Sequence, residues 1–198
     1  MFDKISNYMT DMIYSTLPDI APERREIIEY GVYMTVSEIV KIAIILLISI
    51  VLGIWQYVLA VVAVYGIQRT FLGGIHAKTH LGCILTHSII VFGVVAAAIY
   101  LKVDSLYLIL IVLPFSYVTA YLYAPADLPQ KPVKAKRQRK QLRAGGFILL
   151  TVLFTAAWFL PETWSRIILF TCFIQSLLMT PIAYRISKNK YGGEEALV

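Results

Sequence analysis

Six apolar runs, most of them as long as a bilayer is thick, leave this chain one solvent in which to fold. They fall near residues 36–54, 57–72, 81–101, 105–123, 146–160 and 164–184. A helix rises about 1.5 Å per residue, so about 20 apolar residues cross a hydrocarbon core of about 30 Å. With 59% apolar and 15% charged residues, the chain has too little polar surface to cover a water-soluble domain. The fold class that follows is all-α integral membrane, with about six transmembrane helices. Residues 1–198 read as a single polytopic membrane domain with no room for a separate soluble one.

Six crossings place both termini on one side, and the cations say which. Of the 18 Lys and Arg residues, all but Lys102 and Arg166 fall in segments assigned to that side, the asymmetry of cytoplasmic loops. Both termini are therefore expected in the cytoplasm. The net charge of +6 is read as topology and not as a sign of nucleic-acid binding. Residues 1–35 carry Asp3 and Lys4 near their start and no short apolar core before a cleavage site. They read as a retained amphipathic, cytoplasmic segment rather than a signal peptide. Residues 124–143, rich in Pro, Lys and Arg, read as a solvated basic loop facing lipid headgroups or an acidic partner.

The second run is weak. About eleven apolar residues, Tyr57 to Ile67, precede Gln68 and Arg69, and they span only about 17 Å. The helix must run on through Phe71 and Leu72, or dip in and return. In either case Arg69 is held near the inner boundary of the hydrocarbon, as a functional charge or as a snorkelling helix-end cation. Gly73 and Gly74 follow. A glycine pair suits a left-handed helix stop or a close approach of backbone to substrate.

Just beyond, His76, His80, Cys83 and His87 repeat at helical spacing, and these are all the histidines of the chain. One shared metal ion is disfavoured, because a continuous helix spreads the four over about 16 Å. Cys83 as nucleophile needs a base within about 2.6–3.2 Å. In an unbroken helix His80 and His87 are its neighbours, whereas His76 lies about 10 Å away along the axis. His76 qualifies only if the helix begins after it, for instance with Thr79 as N-cap. Cys83 would then sit in the first turn, where the positive helix end favours thiolate. Cys172, in the apolar run FTCFIQSLL, reads as an inert buried thiol.

The pattern R-x-x-x-G-G-x-H-x-x-x-x-x-x-C, here Arg69, Gly73, Gly74, His76 and Cys83, resembles the signature of AgrB, the accessory gene regulator B peptidases of Gram-positive bacteria. The turn YAPAD at Tyr123–Asp127, its basic sequel and the overall length are also similar. The resemblance implies a membrane cysteine endopeptidase that removes the C-terminal tail of an AgrD-type precursor of a cyclic autoinducing peptide. It implies Cys83 as nucleophile, His76 as base, and Arg69, Gly73 and Gly74 as supporting positions. It implies no cofactor or metal, a precursor peptide and membrane lipid as partners, and a homodimer in the bacterial plasma membrane with the site at the cytoplasmic side. Asp127 is a candidate to orient His76, against a solvated turn role. A small transporter or channel with a histidine-lined path, or a scaffold for a sensor complex, are the rival readings.

Overall fold

The computed structural model describes residues 2–16, 22–75, 80–127, 133 and 135–189. Among these every regular element is an α-helix. The chain divides into two compact units, residues 1–53 and 54–198.

The first unit pairs α1 (Phe2–Thr16) with α2 (Pro22–Val51). Its α1 is the short amphipathic helix anticipated at the N-terminus, and the Tyr14 hydroxyl donates to Glu29 Oε1 at 3.0 Å. The helix α2 starts well before the apolar run anticipated from residue 36. Proline suits the first helical position, where its missing N–H costs nothing. The stretch Gly31–Val51 is long and apolar enough to cross a membrane.

The second unit holds α3 (Trp55–Leu72), α4 (His80–Tyr100), α5 (Ser105–Tyr123), α6 (Lys136–Phe159), α7 (Glu162–Leu178) and the short α8 (Pro181–Ile186). At its centre lies α7, packed against α3, α4, α5 and α6. Enclosure explains its composition. Thr171, Gln175 and Ser176 are buried, and each hydrogen-bonds within the protein instead of facing lipid. Thus Ser176 Oγ donates to Ser116 Oγ of α5 at 2.9 Å, and Gln68 Nε2 of α3 donates to Cys172 Sγ at 2.9 Å. The outer surface is the reverse: Leu81, Leu85 and Ile89 on α4, Leu110 and Ile111 on α5, and Ile148 and Val152 on α6 are all exposed. Polar groups inside and large aliphatic groups outside form the pattern of a protein solvated by lipid.

Four helices, within α2, α4, α5 and α6, have the length and apolarity to span a bilayer. The other two long helices, α3 and α7, are shorter or more polar and lean on each other. The doubtful second run continues as one unbroken helix from Trp55 through Phe71 to Leu72. The last run divides before Pro181, which lacks an N–H and disfavours a helical residue ahead of it. Thr180 instead caps α8 by accepting from the Ala183 amide at 3.4 Å. The basic stretch anticipated as loop up to Arg143 is helical from Lys136 onward. Lys136, Arg137 and Lys140 face outward while Arg139 is buried.

Candidate active site

The site is built where α3 ends. A helix stop in left-handed backbone needs glycine, and Gly73 adopts φ 76° as the cap of α3, followed by Gly74 at φ 128°. The chain then runs beside the turn after α5, with a single parallel bridge between Gly73 and Ala126. The Ala126 amide donates to the Leu72 carbonyl at 2.8 Å, and the Gly74 amide donates to the Ala126 carbonyl at 2.7 Å. A Cβ on Gly73 would overlap that same carbonyl, so close approach as well as φ selects glycine there.

Backbone polar groups buried this deeply must find partners, and side chains from four helices supply them. Gln175 Nε2 of α7 donates to the Gly73 carbonyl at 2.7 Å, and the Ile75 amide donates to the Leu178 carbonyl at 3.3 Å. Arg69 donates from Nη2 to the Ile75 carbonyl and from Nη1 to the Tyr65 hydroxyl at 2.9 Å. Arg69 therefore turns back onto the loop it precedes and does not snorkel away from it. On the other strand of the crossing, Arg143 Nε donates to the Ala124 carbonyl at 2.7 Å. Arg139 donates to the Pro125 carbonyl at 3.3 Å, and the Tyr184 hydroxyl donates to the Ala126 carbonyl at 3.0 Å.

Asp127 is neither a solvated turn residue nor exposed to an incoming ligand. It is buried in an ion pair with Arg139, Nη1 to Oδ2 at 2.9 Å, and also accepts from the Val133 amide at 2.9 Å. The pair fastens the turn after α5 to the first turns of α6.

Across from this crossing, α4 begins at His80. Of the four-residue stripe of the sequence, His80, Cys83 and His87 lie on this helix. Cys83, on α4, is half-buried. One turn on, His87 meets the edge of the Tyr65 ring, with centroids 5.2 Å apart. The face of α4 that carries Cys83 and His87 is thereby turned toward Tyr65 and Arg69 of α3. His76, and with it the pairing of His76 with Cys83, lies outside the described residues, as do Ala77, Lys78 and Thr79.

Among the anticipated residues, Arg69, Gly73 and Gly74 are brought together at one turn, with Cys83 on the facing helix. Tyr65, Gln175, Arg139 and Tyr184 were not anticipated. Gln175 and Gln68 carried a signal, as amides inside apolar runs; Tyr65 and Tyr184 carried none. Among the described residues no three of His, Cys, Asp and Glu converge as a metal would require. The arrangement offers a thiol on α4, a guanidinium on the adjacent α3, and a hydrogen-bonded backbone turn immediately before a histidine in the chain.

A model of the family described as Accessory gene regulator B, AgrB, matches residues 6–179. The chain is 25% identical to AgrB-like protein 2 of Clostridium perfringens strain 13 over 158 residues, covering 77% of this chain and 73% of that protein. It is 26% identical to an AgrB-like protein of Listeria innocua over 170 residues, 85% of this chain and 82% of that one. These relatives are themselves named by likeness. No solved structure matches the chain.

Proposed function

The chain belongs to the accessory gene regulator B family of agr quorum-sensing systems, and from that premise we propose that it is a membrane cysteine endopeptidase acting on an AgrD-type precursor peptide. The observation that carries this reading is the turn Gly73–Ile75, held by Gln175, Ala126 and Arg69 immediately before His76 in the chain, at the end of the helix that packs on α4 and its Cys83. A base within reach of Cys83 is what the proposal asks of the residue that follows this turn.

In the proposed mechanism His76 takes the proton of Cys83, and Sγ attacks a peptide carbonyl of the precursor. His76 returns the proton to the leaving amine, the C-terminal tail departs, and the N-terminal part remains as a thioester on Cys83. An internal thiol or hydroxyl of the precursor then attacks that thioester through His76. A thiolactone or lactone closes and the Cys83 thiol is regenerated. Exchange between thioesters is close to balanced, so exclusion of water favours the ring over hydrolysis. Arg69 acts by holding the Ile75 carbonyl, one residue ahead of the base.

The proposed setting is the bacterial plasma membrane, with six crossings, both termini and the site at the cytoplasmic side, and a homodimer as the assembly. Lys136, Arg137 and Lys140, exposed at the start of α6, would attract an acidic precursor tail.

The test is co-expression with the precursor encoded by a neighbouring short reading frame, followed by mass measurement. Cys83→Ser and His76→Ala are expected to abolish tail loss while the protein still enters the membrane. Normal cleavage by His76→Ala together with loss in His80→Ala would remove His76 as the base. Histidine-dependent ion flux that survives Cys83→Ser would replace the peptidase by a channel.

A further inference from the structure

Gln175 stands out in the second unit as a buried group used for only half of what it can do. It lies in the last turns of α7 with no exposed surface. Its carboxamide orientation is settled by chemistry: the Gly73 carbonyl only accepts, so the nitrogen faces it, at 2.7 Å. The oxygen on the same carbon is buried and, among the described residues, has no hydrogen-bond partner. An apolar side chain of similar volume would remove that stranded oxygen but leave the Gly73 carbonyl without the side chain that donates to it. What the amide contributes comes from its other half.

That half is the grip on Gly73. Five bonds hold the chain between Leu72 and His76: the Arg69 carbonyl on the Gly73 amide, Gln175 on the Gly73 carbonyl, Ala126 on the Gly74 amide, Leu178 on the Ile75 amide and the Arg69 side chain on the Ile75 carbonyl. Ala126 and Leu178 act through backbone, so Arg69 and Gln175 are the two side chains that set the direction in which the chain leaves. Both flank Gly74: a Cβ there would lie 3.4 Å from Arg69 Nη1 and 3.7 Å from Gln175 Nε2. We propose that Gln175 is a positioning residue of the peptidase site, holding the Gly73 carbonyl so that the segment beyond Ile75 delivers its histidine to Cys83. This rests on the peptidase reading.

Displacing a catalytic group by about 1 Å costs on the order of 100-fold in rate. In the full-length protein, Gln175→Leu should therefore lower kcat for cleavage of the neighbouring-frame precursor about 10- to 100-fold with KM changed less than about two-fold. Its thermal unfolding midpoint in detergent should fall only slightly, since the substitution exchanges one unpartnered acceptor, Gln175 Oε1, for another, the Gly73 carbonyl. Gln175→Asn keeps the amide but withdraws it by about 1.5 Å, and it should be as slow as Gln175→Leu. Full cleavage by either variant, or loss of activity only in step with loss of stability, overturns the assignment; if Gln175→Leu does not fold, Gln175→Asn decides.

Alkylation of Cys83 by N-ethylmaleimide at fixed pH separates the two levels of inference. The unsubstituted protein should react faster than His76→Ala, and Gln175→Leu should fall to the His76→Ala rate. Equal rates in the unsubstituted protein and His76→Ala would sink the peptidase reading and this one with it. A fast unsubstituted protein beside an equally fast Gln175→Leu would sink this one alone.

Discussion

At the scale of single residues, the crossing of Gly73 with Ala126 admits little change. Alanine at Gly73 would combine a left-handed backbone with overlap on the Ala126 carbonyl, a penalty of about 1–3 kcal/mol. Gly73→Ala should lower both the unfolding midpoint in detergent and precursor cleavage. Asp127 and Arg139 predict a second asymmetry. Asp127→Asn leaves the Arg139 guanidinium buried without its counter-charge and should cost about 3–5 kcal/mol, whereas Asp127→Leu combined with Arg139→Met should recover much of it. Thermal unfolding of the single and double variants measures this directly, and additive losses would contradict it. Arg69, Gly73, Gly74 and Cys83 were legible because their spacing within fifteen residues of chain carries the pattern. Gln175 was not, since it meets Gly73 across 102 positions. Asp127 was misread because its partner lies in a stretch whose many cations suggested solvent.

Helices were easier to read than their ends. The apolar runs located α3, α4 and α5 to within a residue or two, because length and hydropathy decide which backbone must satisfy its own polar groups in lipid. The start of α6 was missed, since charge density argued for a loop while Arg139 turned inward. Between α6 and α3 the contact is close: a Cβ on Gly145 would press on the Phe71 ring and one on Gly146 on the Leu72 side chain. Small residues of this kind let two helices approach within a membrane. Gly146→Val should therefore push α6 off the end of α3 and reduce cleavage. Ile148→Ala, on the exposed side of the same helix, should leave cleavage within about two-fold, its stability cost within about 0.5 kcal/mol. Measured side by side, equal effects would contradict the packing.

For the whole molecule, the proposed topology puts the connections before and after α5 on opposite sides of the membrane. In a chain lacking both native cysteines, Lys102→Cys should react with an impermeant maleimide on intact cells. Arg137→Cys should react only after permeabilisation, and the reverse order would invert the protein. The mutual dependence of α3 and α7 also bears on how the protein is made. About 90 residues separate Leu72 from Glu162. At roughly 5–20 residues per second, α3 waits about 5–20 s on the ribosome for the helix whose Cys172 and Gln175 receive its polar end. During that interval Gln68 is without the partner that Cys172 provides. The nascent chain at this stage is a natural client for a membrane insertase, and its depletion should deplete this protein before it affects one built only from strongly apolar spans.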